Sequence, residues 1–120
     1  MKFGIRFIGY VGTARETVHL SVLAEQAGFD FVWFPHDTFM RNTWAMTSAV
    51  AEHTTKIKIG SVGTNPYTTN PAEIATYVAT LDELSDGRAV LGLGLHGPAM
   101  VEWTGIDASN YVIRTREAVE

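Results

Sequence analysis

Four short apolar runs along this chain predict β-strands. They lie at residues 1–10, 29–34, 57–63 and 89–95 and are rich in Phe, Ile, Val and Leu. The second run is apolar apart from Asp30, which is typical of a strand covered on both faces. We therefore predict strands whose cores begin near Phe3, Phe31, Ile57 and Ala89.

Between these runs the apolar residues recur at helical spacing. The first predicted helix begins at a capping box, 13–16, in which a threonine and a glutamate satisfy each other's backbone N–H groups. A second helix is predicted from about Thr43 to Thr54. The third has the clearest start, because Asn70 can cap it and Pro71 suits the first helical position. A last helix is predicted over 114–120.

Each strand core is followed by a helix at the spacing of roughly thirty residues expected of βα units, so the sheet should be parallel. Two architectures fit: a doubly wound open sheet, or the first half of an eight-stranded barrel, which needs about 250 residues when complete. Gly9 and Gly12 lack the third glycine of a dinucleotide-binding loop, and no phosphate-binding Gly-Lys-Ser/Thr loop occurs. The barrel is therefore favoured.

The composition is that of an ordinary globular chain, with 46% apolar and 18% charged residues among 120. The net charge of −4 is spread along the chain, so neither nucleic acid nor an anionic membrane is expected as a partner. The lack of cysteine excludes disulfides and thiolate metal sites, and no metal is expected. No apolar run is long enough to cross a bilayer. We expect a cytoplasmic protein that binds a small molecule or another chain.

The loop after the third strand is the most distinctive chemical feature. It follows a strand, precedes a helix and carries polar uncharged side chains without Lys or Arg, which suits a neutral planar ring better than a bare phosphate. His36 and Asp37 after the second strand, and His96 after the fourth, would lie at the same edge of a parallel sheet. His36 and Asp37 could also form a simple turn in which Asp37 caps the next segment. His96 suits a general acid or a substrate-orienting group.

Five segments then follow one another in an order and at a spacing typical of one enzyme family. They are Ala24–Trp33, Thr64–Tyr67, Asn70–Ala72, Ala79–Ala89 and Leu91–Gly94. They resemble the luciferase-like monooxygenase superfamily, in its deazaflavin-dependent branch, and most of all the methylenetetrahydromethanopterin reductase type. The resemblance implies that residues 1–120 form about four βα units, the N-terminal half of a (β/α)8 TIM-type barrel.

This resemblance implies an oxidoreductase that transfers a hydride between reduced coenzyme F420, an 8-hydroxy-5-deazaflavin, and a small organic substrate. An alternative within the superfamily is a monooxygenase that depends on flavin mononucleotide (FMN). A third reading is a half-barrel that dimerises as a binding module without turnover. In each case the open half needs a partner, either a second copy or the remaining half of the barrel.

The resemblance also assigns coenzyme contacts. Ser61 and Val62 match a non-prolyl cis peptide behind the coenzyme ring, a bond that costs roughly 3–4 kcal/mol. Thr64 and Asn65 would hydrogen-bond the edge of the ring, and Gly94 matches a coenzyme-binding position after the fourth strand.

The candidate catalytic residues are His36, Asp37 and His96, and Asp37 would contact the coenzyme as well. The family usually has Asp before His at the end of the second strand, so this chain shows the two residues in reversed order. Arg6 stands where the reductase type has a glutamate, and Gly97 where it has an acid after the fourth strand. An inward Arg6 would need a partner, either Asp37, Asp30 or an anionic group.

Overall fold

The computed structural model describes all 120 residues as one parallel sheet covered by helices. The strands are β1 (Gly4–Arg6), β2 (Phe31–Pro35), β3 (Lys58–Thr64) and β4 (Ala89–Leu93), and they pair in the order β1-β2-β3-β4. The helices are α1 (Ala14–Gln26), α2 (Thr43–His53), α3 (Pro71–Leu84), α4 (Pro98–Thr104) and α5 (Tyr111–Glu117). No helix is both long enough and apolar enough to span a membrane.

The sequential strand order decides between the two predicted architectures. Right-handed crossovers that always step in the same direction place their helices on the same face of the sheet. In agreement, α1 packs on α2 and α2 packs on α3. A doubly wound sheet would reverse its order and carry helices on both faces. The chain therefore has the architecture of half a (β/α)8 barrel, as predicted.

A single hydrophobic core fills the space between the sheet and the helices. Val32 and Phe34 of β2 and Ile59 of β3 point into it, and the intervening residues of each strand point to the opposite face. That opposite face is open. The ten buried members of the core are Phe7, Ala24, Val32, Phe34, Met46, Val50, Ala51, Ile57, Ile59 and Leu81.

The helix starts follow the predicted capping chemistry. Thr13 and Glu16 form the capping box of α1, with Thr13 N donating to Glu16 Oε2 at 2.6 Å. Asn70 caps α3 by accepting from Ala72 N at 2.9 Å. Helix α4 was not predicted, and α5 begins three residues before the predicted start. Strand β1 is much shorter than the predicted 1–10, because an edge strand finds ladder partners only on β2.

Arg6 corrects one expectation, because it pairs with neither Asp30 nor Asp37. Arg6 is exposed on the edge strand β1, on the open face of the sheet. Asp30 instead accepts the backbone N–H of Phe3 at 2.7 Å. Asp37 lies beside His96 at the other end of the sheet.

The guanidinium of Arg88 joins three elements at the N-terminal end of the sheet. Its Nε donates to the carbonyl of Ser85 at 2.6 Å, and Nη1 donates to the hydroxyl of Thr54 at 2.9 Å and the carbonyl of Ile57 at 3.0 Å. Nη2 donates to the carbonyls of Ala51 and Thr54 at 3.1 and 2.9 Å. All five N–H donors of the side chain are used, so the end of α2, the start of β3 and the loop before β4 are fixed together.

Glu25 performs a similar task at the end of α1. Its carboxylate accepts the N–H groups of Thr55, Lys56 and Ile57, at distances of 2.6 to 3.1 Å. Partial burial raises the pKa of Glu25, but these backbone N–H groups and the charge of Arg88 outweigh it, so the net pKa lies below its ordinary 4.5. The charged form therefore anchors the loop that leads into β3.

We predict that Arg88→Ala lowers the free energy of unfolding by about 3 kcal/mol, because it leaves several carbonyls without donors. Arg88→Lys should recover only part of the loss, since an ammonium cannot reproduce the planar fork. Urea unfolding followed by circular dichroism measures both. Arg15→Ala, at an exposed position of α1, is the control and should change stability little. Equal stability of Arg88→Ala and the wild type would contradict the assignment.

A second prediction concerns the pH dependence of stability. The folded-state pKa of Glu25 is lowered, so its contribution is complete above about pH 4.5 and is lost as the pH falls through the folded-state value. Glu25→Gln should cost about 1–2 kcal/mol at pH 7 and progressively less toward pH 3. Urea unfolding at several pH values tests this, with Glu52→Gln on the exposed side of α2 as the control. A pH-independent difference would show that the charge is not involved.

Candidate active site

The carboxyl ends of β2, β3 and β4 meet at one edge of the sheet, as the sequence predicted. His36 follows β2, Asn65 follows β3, and Gly94 and His96 follow β4. Two backbone hydrogen bonds extend the pairing beyond the strands. His36 N donates to the carbonyl of Val62 at 2.9 Å, and Gly94 N donates to the carbonyl of Thr64 at 2.9 Å. These bonds fix the three strand ends relative to one another.

Strand β3 departs from regular geometry at the predicted coenzyme loop. The pairing with β4 shifts between Ser61 and Thr64, and Gly63 between them has a φ of +74°. The peptide bond between Ser61 and Val62 is trans, as are all others, so the predicted cis bond is wrong. A trans bond is favoured by about 3–4 kcal/mol, and here the irregularity comes from the left-handed glycine instead.

The polar side chains of this loop turn into the protein. Ser61 and Thr64 are buried, and Thr64 Oγ1 donates to Ser61 Oγ at 2.8 Å. Asn65 is fully buried, and its Oδ1 accepts from the backbone N–H groups of Tyr67 and Thr68, both at 3.1 Å. These contacts shape the loop. Of the three side chains, only Asn65 keeps a polar group without a partner, its Nδ2.

Asp37 and His96 come together at this edge, with His36 nearby. The distance from His96 Nδ1 to Asp37 Oδ1 is 3.8 Å, and the side chains are 4% and 39% exposed, respectively. The ring of His36 lies 5.7 Å from that of Trp44, which stacks on Tyr77 at 4.9 Å. The structure therefore groups all three predicted catalytic residues and backs His36 with two aromatic rings.

Four buried polar atoms have no hydrogen-bond partner within the chain. They are His36 Nδ1, Trp44 Nε1, Asn65 Nδ2 and His96 Nε2. Such a group costs about 1–3 kcal/mol, so native proteins concentrate the exceptions where they have a use. Three of the four belong to residues that follow β2, β3 and β4, and the fourth touches His36. Buried polar atoms without partners are thus concentrated at this edge of the sheet.

Burial is the main reason why the pKa of His36 is lowered from its usual 6.5. The charge that His96 can carry lowers the pKa further, whereas the carboxylate of Asp37 raises it. The net direction is downward, so His36 is neutral near pH 7. A neutral imidazole has one donor and one acceptor nitrogen, which suits hydrogen bonding to an uncharged ring or substrate.

A cavity of about 270 Å³ opens between the loops that follow β2 and β3. Residues 36–43 line one side, and Thr68 and Thr69 line the other. His36 and Asp37 face this cavity, and His96 does not line it. The space is large enough for a small organic molecule beside the strand ends.

The sequence analysis did not identify two residues that shape the surroundings of the site. Arg41 donates from Nη1 to the carbonyl of Val11 at 3.0 Å and from Nη2 to the carbonyl of Gly12, and so ties the loops after β1 and β2 together. Tyr77 of α3 stacks on Trp44 of α2, whose other neighbour is the ring of His36. A tyrosine among the apolar residues of α3 was the only signal in the sequence. Nothing local marked Arg41, because its acceptors are backbone carbonyls about 30 residues away.

Comparison with known proteins agrees with this arrangement. A family model described as luciferase-like monooxygenase matches residues 1–120. The chain belongs to the luciferase-like monooxygenase family. The predicted resemblance is thereby confirmed, and the four-stranded sheet corresponds to half of the TIM barrel of its structural neighbours.

Several of the similar proteins depend on coenzyme F420 by name. The chain is 40% identical over 120 residues to a 5,10-methylenetetrahydromethanopterin reductase of Archaeoglobus fulgidus, covering 100% of this chain and 36% of that protein. It is similar to the solved coenzyme F420-dependent tetrahydromethanopterin reductase of Methanopyrus kandleri, with a TM-score of 0.83 and 34% identity over 87% of this chain and 30% of that chain. An F420-dependent secondary alcohol dehydrogenase, solved with an F420-acetone adduct, gives a TM-score of 0.80 at 31% identity, over 99% of this chain and 40% of that chain.

These shares also describe what the chain contains. It spans about a third of the length of the curated relatives it matches. The relatives are named as reductases and dehydrogenases of different substrates. The region that this chain shares with those relatives is therefore the one that contains β1 to β4 and their carboxyl ends.

We predict that the imidazole of His36 titrates below pH 6.5 because burial disfavours its charged form. Asp37→Asn should lower its pKa further, since the carboxylate is the one group that raises it. NMR titration of the histidine ring signals measures the change. His19→Asn on the exposed side of α1 is the control and should leave the titration of His36 unchanged. A higher pKa in Asp37→Asn would contradict the assigned environment.

Proposed function

We propose that this chain forms half of a coenzyme F420-dependent oxidoreductase, which transfers a hydride between the reduced deazaflavin and a small organic substrate. The observation that carries the proposal is the set of unpartnered, buried polar atoms at the ends of β2, β3 and β4. They occur in a chain whose relatives are named F420-dependent enzymes. The proposal does not extend to a particular substrate, because the names of those relatives give different compounds.

The residues at the ends of β3 and β4 fit a planar ring. Gly94 lies against Gly63, so closely that a Cβ on Gly94 would fall 3.2 Å from Gly63 Cα. Two side-chain-free positions leave a flat backbone surface on which a ring can rest. In the proposal, the backbones of Ser61, Val62 and Thr64 form the wall beside it. Asn65 Nδ2 is the unpaired donor available to the ring edge.

The coenzyme, when bound, supplies the hydride and accepts it back. The residues of this chain would orient the ring, keep water away and manage the proton that accompanies reduction of the substrate. We assign that proton chemistry to His36, Asp37 and His96, which lie together at the strand ends. We also assign to Asp37 a contact with the coenzyme.

The remaining part of the site would come from further strands. The outer edges of β1 and β4 have no strand partner, and exposed sheet edges are normally covered. We propose that the remaining half of the barrel, or a second copy of the chain, covers them. We propose that the enzyme is cytoplasmic and acts on a small-molecule substrate.

We predict that the chain, at known oligomeric state, binds F420 more tightly than FMN. Gly94→Ala should weaken F420 binding about tenfold, equivalent to 1.4 kcal/mol, because Gly63 must move to admit the methyl group. Absorbance titration measures both. Gly97→Ala is the matched control, because a Cβ there meets nothing within 4 Å.

The outcomes of that titration are distinct. Tighter binding of FMN would replace the proposal with the FMN-dependent monooxygenase alternative. If neither coenzyme binds to the protein in a form whose barrel is complete, the oxidoreductase proposal is wrong and a binding module without turnover is favoured. Equal effects of the two glycine substitutions would remove Gly94 from the site.

A further inference from the structure

Asp37 and His96 form a pair whose members differ sharply in exposure. The Asp37 side chain is 39% exposed and borders the 270 Å³ cavity, together with His36. The His96 side chain is 4% exposed and borders none of the cavities of the chain. A ligand in the cavity can therefore touch Asp37, whereas His96 lies behind it.

The orientation of the imidazole indicates how His96 acts. Its Nδ1 faces Asp37 Oδ1 at 3.8 Å, within the range of a charge pair and just beyond a direct hydrogen bond. A carboxylate at that position favours a proton on Nδ1, in either the neutral or the charged ring. Contacts of this kind commonly shorten when a site is loaded.

Asp37 and Arg41 are the charged side chains that border the cavity. Arg41 lies on the same loop, but its guanidinium is bound to two backbone carbonyls of the loop after β1. His36 is half-buried against Trp44, which α2 supplies, and Tyr77 of α3 packs behind that ring. The loop after β3 contributes only Thr68 and Thr69 to the lining.

We propose that Asp37 is the residue that touches the substrate and that His96 is a positioning residue that acts through it. His96 holds the carboxyl group of Asp37 toward the cavity. The inference rests on the proposed function, which it deepens by dividing the roles of two residues in the same site.

The proton balance is simple for reduction of a carbonyl group. Hydride addition at carbon breaks the C–O π bond and leaves its electron pair on oxygen, which takes the proton of the Asp37 carboxyl group. Asp37 is left as a carboxylate and recovers a proton from solvent, to which its side chain is 39% exposed. In substrate oxidation each transfer runs in reverse.

The first test uses the 120-residue chain without coenzyme, so it does not depend on the proposed function. Nitrogen NMR reports which ring nitrogen of His96 carries the proton. We expect Nδ1–H in the wild type and a shift toward Nε2–H in Asp37→Asn, with Asp86→Asn as the exposed control. Identical nitrogen shifts of His96 in the wild type and Asp37→Asn would overturn the pairing.

The second test uses the coenzyme-loaded enzyme with a complete barrel. His96→Leu fills a similar space but cannot hydrogen-bond Asp37, whereas His96→Gln can. We expect kcat of His96→Leu to fall about 10- to 100-fold with KM nearly unchanged, and His96→Gln to recover most of the loss. Asp37→Asn should reduce kcat by about 10²- to 10⁴-fold. His53→Gln, at the exposed end of α2, is the control.

Each result has one meaning. If His96→Leu retains wild-type kcat, or if His96→Gln recovers none of the loss, His96 does not position Asp37 and the inference fails. If His96→Leu loses more activity than Asp37→Asn, His96 itself is the residue that meets the substrate, which also overturns the inference. Failure of the coenzyme to bind would count against the proposed function, whereas the NMR result would still decide the pairing.

Discussion

The arrangement of the strands and helices depends most on the five hydrogen bonds of the Arg88 guanidinium. They join the end of α2, the start of β3 and the approach to β4, and the adjacent carbonyl of Arg88 accepts Ile59 N at 3.0 Å. The register of β3 and β4 is thereby fixed at one end. The pairing set at that end holds from Ile59 to Ser61, and the irregularity between Ser61 and Thr64 then shifts it before the strands reach the site.

The two ends of the sheet differ in how completely their polar groups are satisfied. At the N-terminal end, Glu25, Asp30, Asp82 and Arg88 give their side-chain polar atoms to backbone groups of neighbouring segments. At the C-terminal end, buried nitrogens of three residues that follow strands remain without partners. The contacts at the N-terminal end therefore stabilise the fold, and the unpartnered nitrogens at the C-terminal end can bind a ligand. This division is the one expected of a barrel enzyme.

Local sequence chemistry predicted most of the helices and strands, and it failed where tertiary context decides. The capping box of α1 and the Asn-Pro start of α3 depend on residues within four positions of each other, so their prediction held. The length of β1 was overestimated because strand ends depend on neighbours that the sequence does not show. The expected pairing of Arg6 with Asp30 or Asp37 was wrong because Arg6 lies exposed on the open face of the sheet. The trans bond after Ser61 shows that a family feature need not follow from a matching motif.

The sequence by itself determined the βα alternation, the parallel sheet, the family and the loops that carry the site, because these follow from hydrophobic period, capping residues and short motifs. Only the tertiary structure decided that Asp37 faces a cavity while His96 lies buried behind it, and that Trp44 and Tyr77 stack behind His36. Those contacts join residues of different βα units. Their geometry depends on strand register and helix packing, which no local pattern encodes.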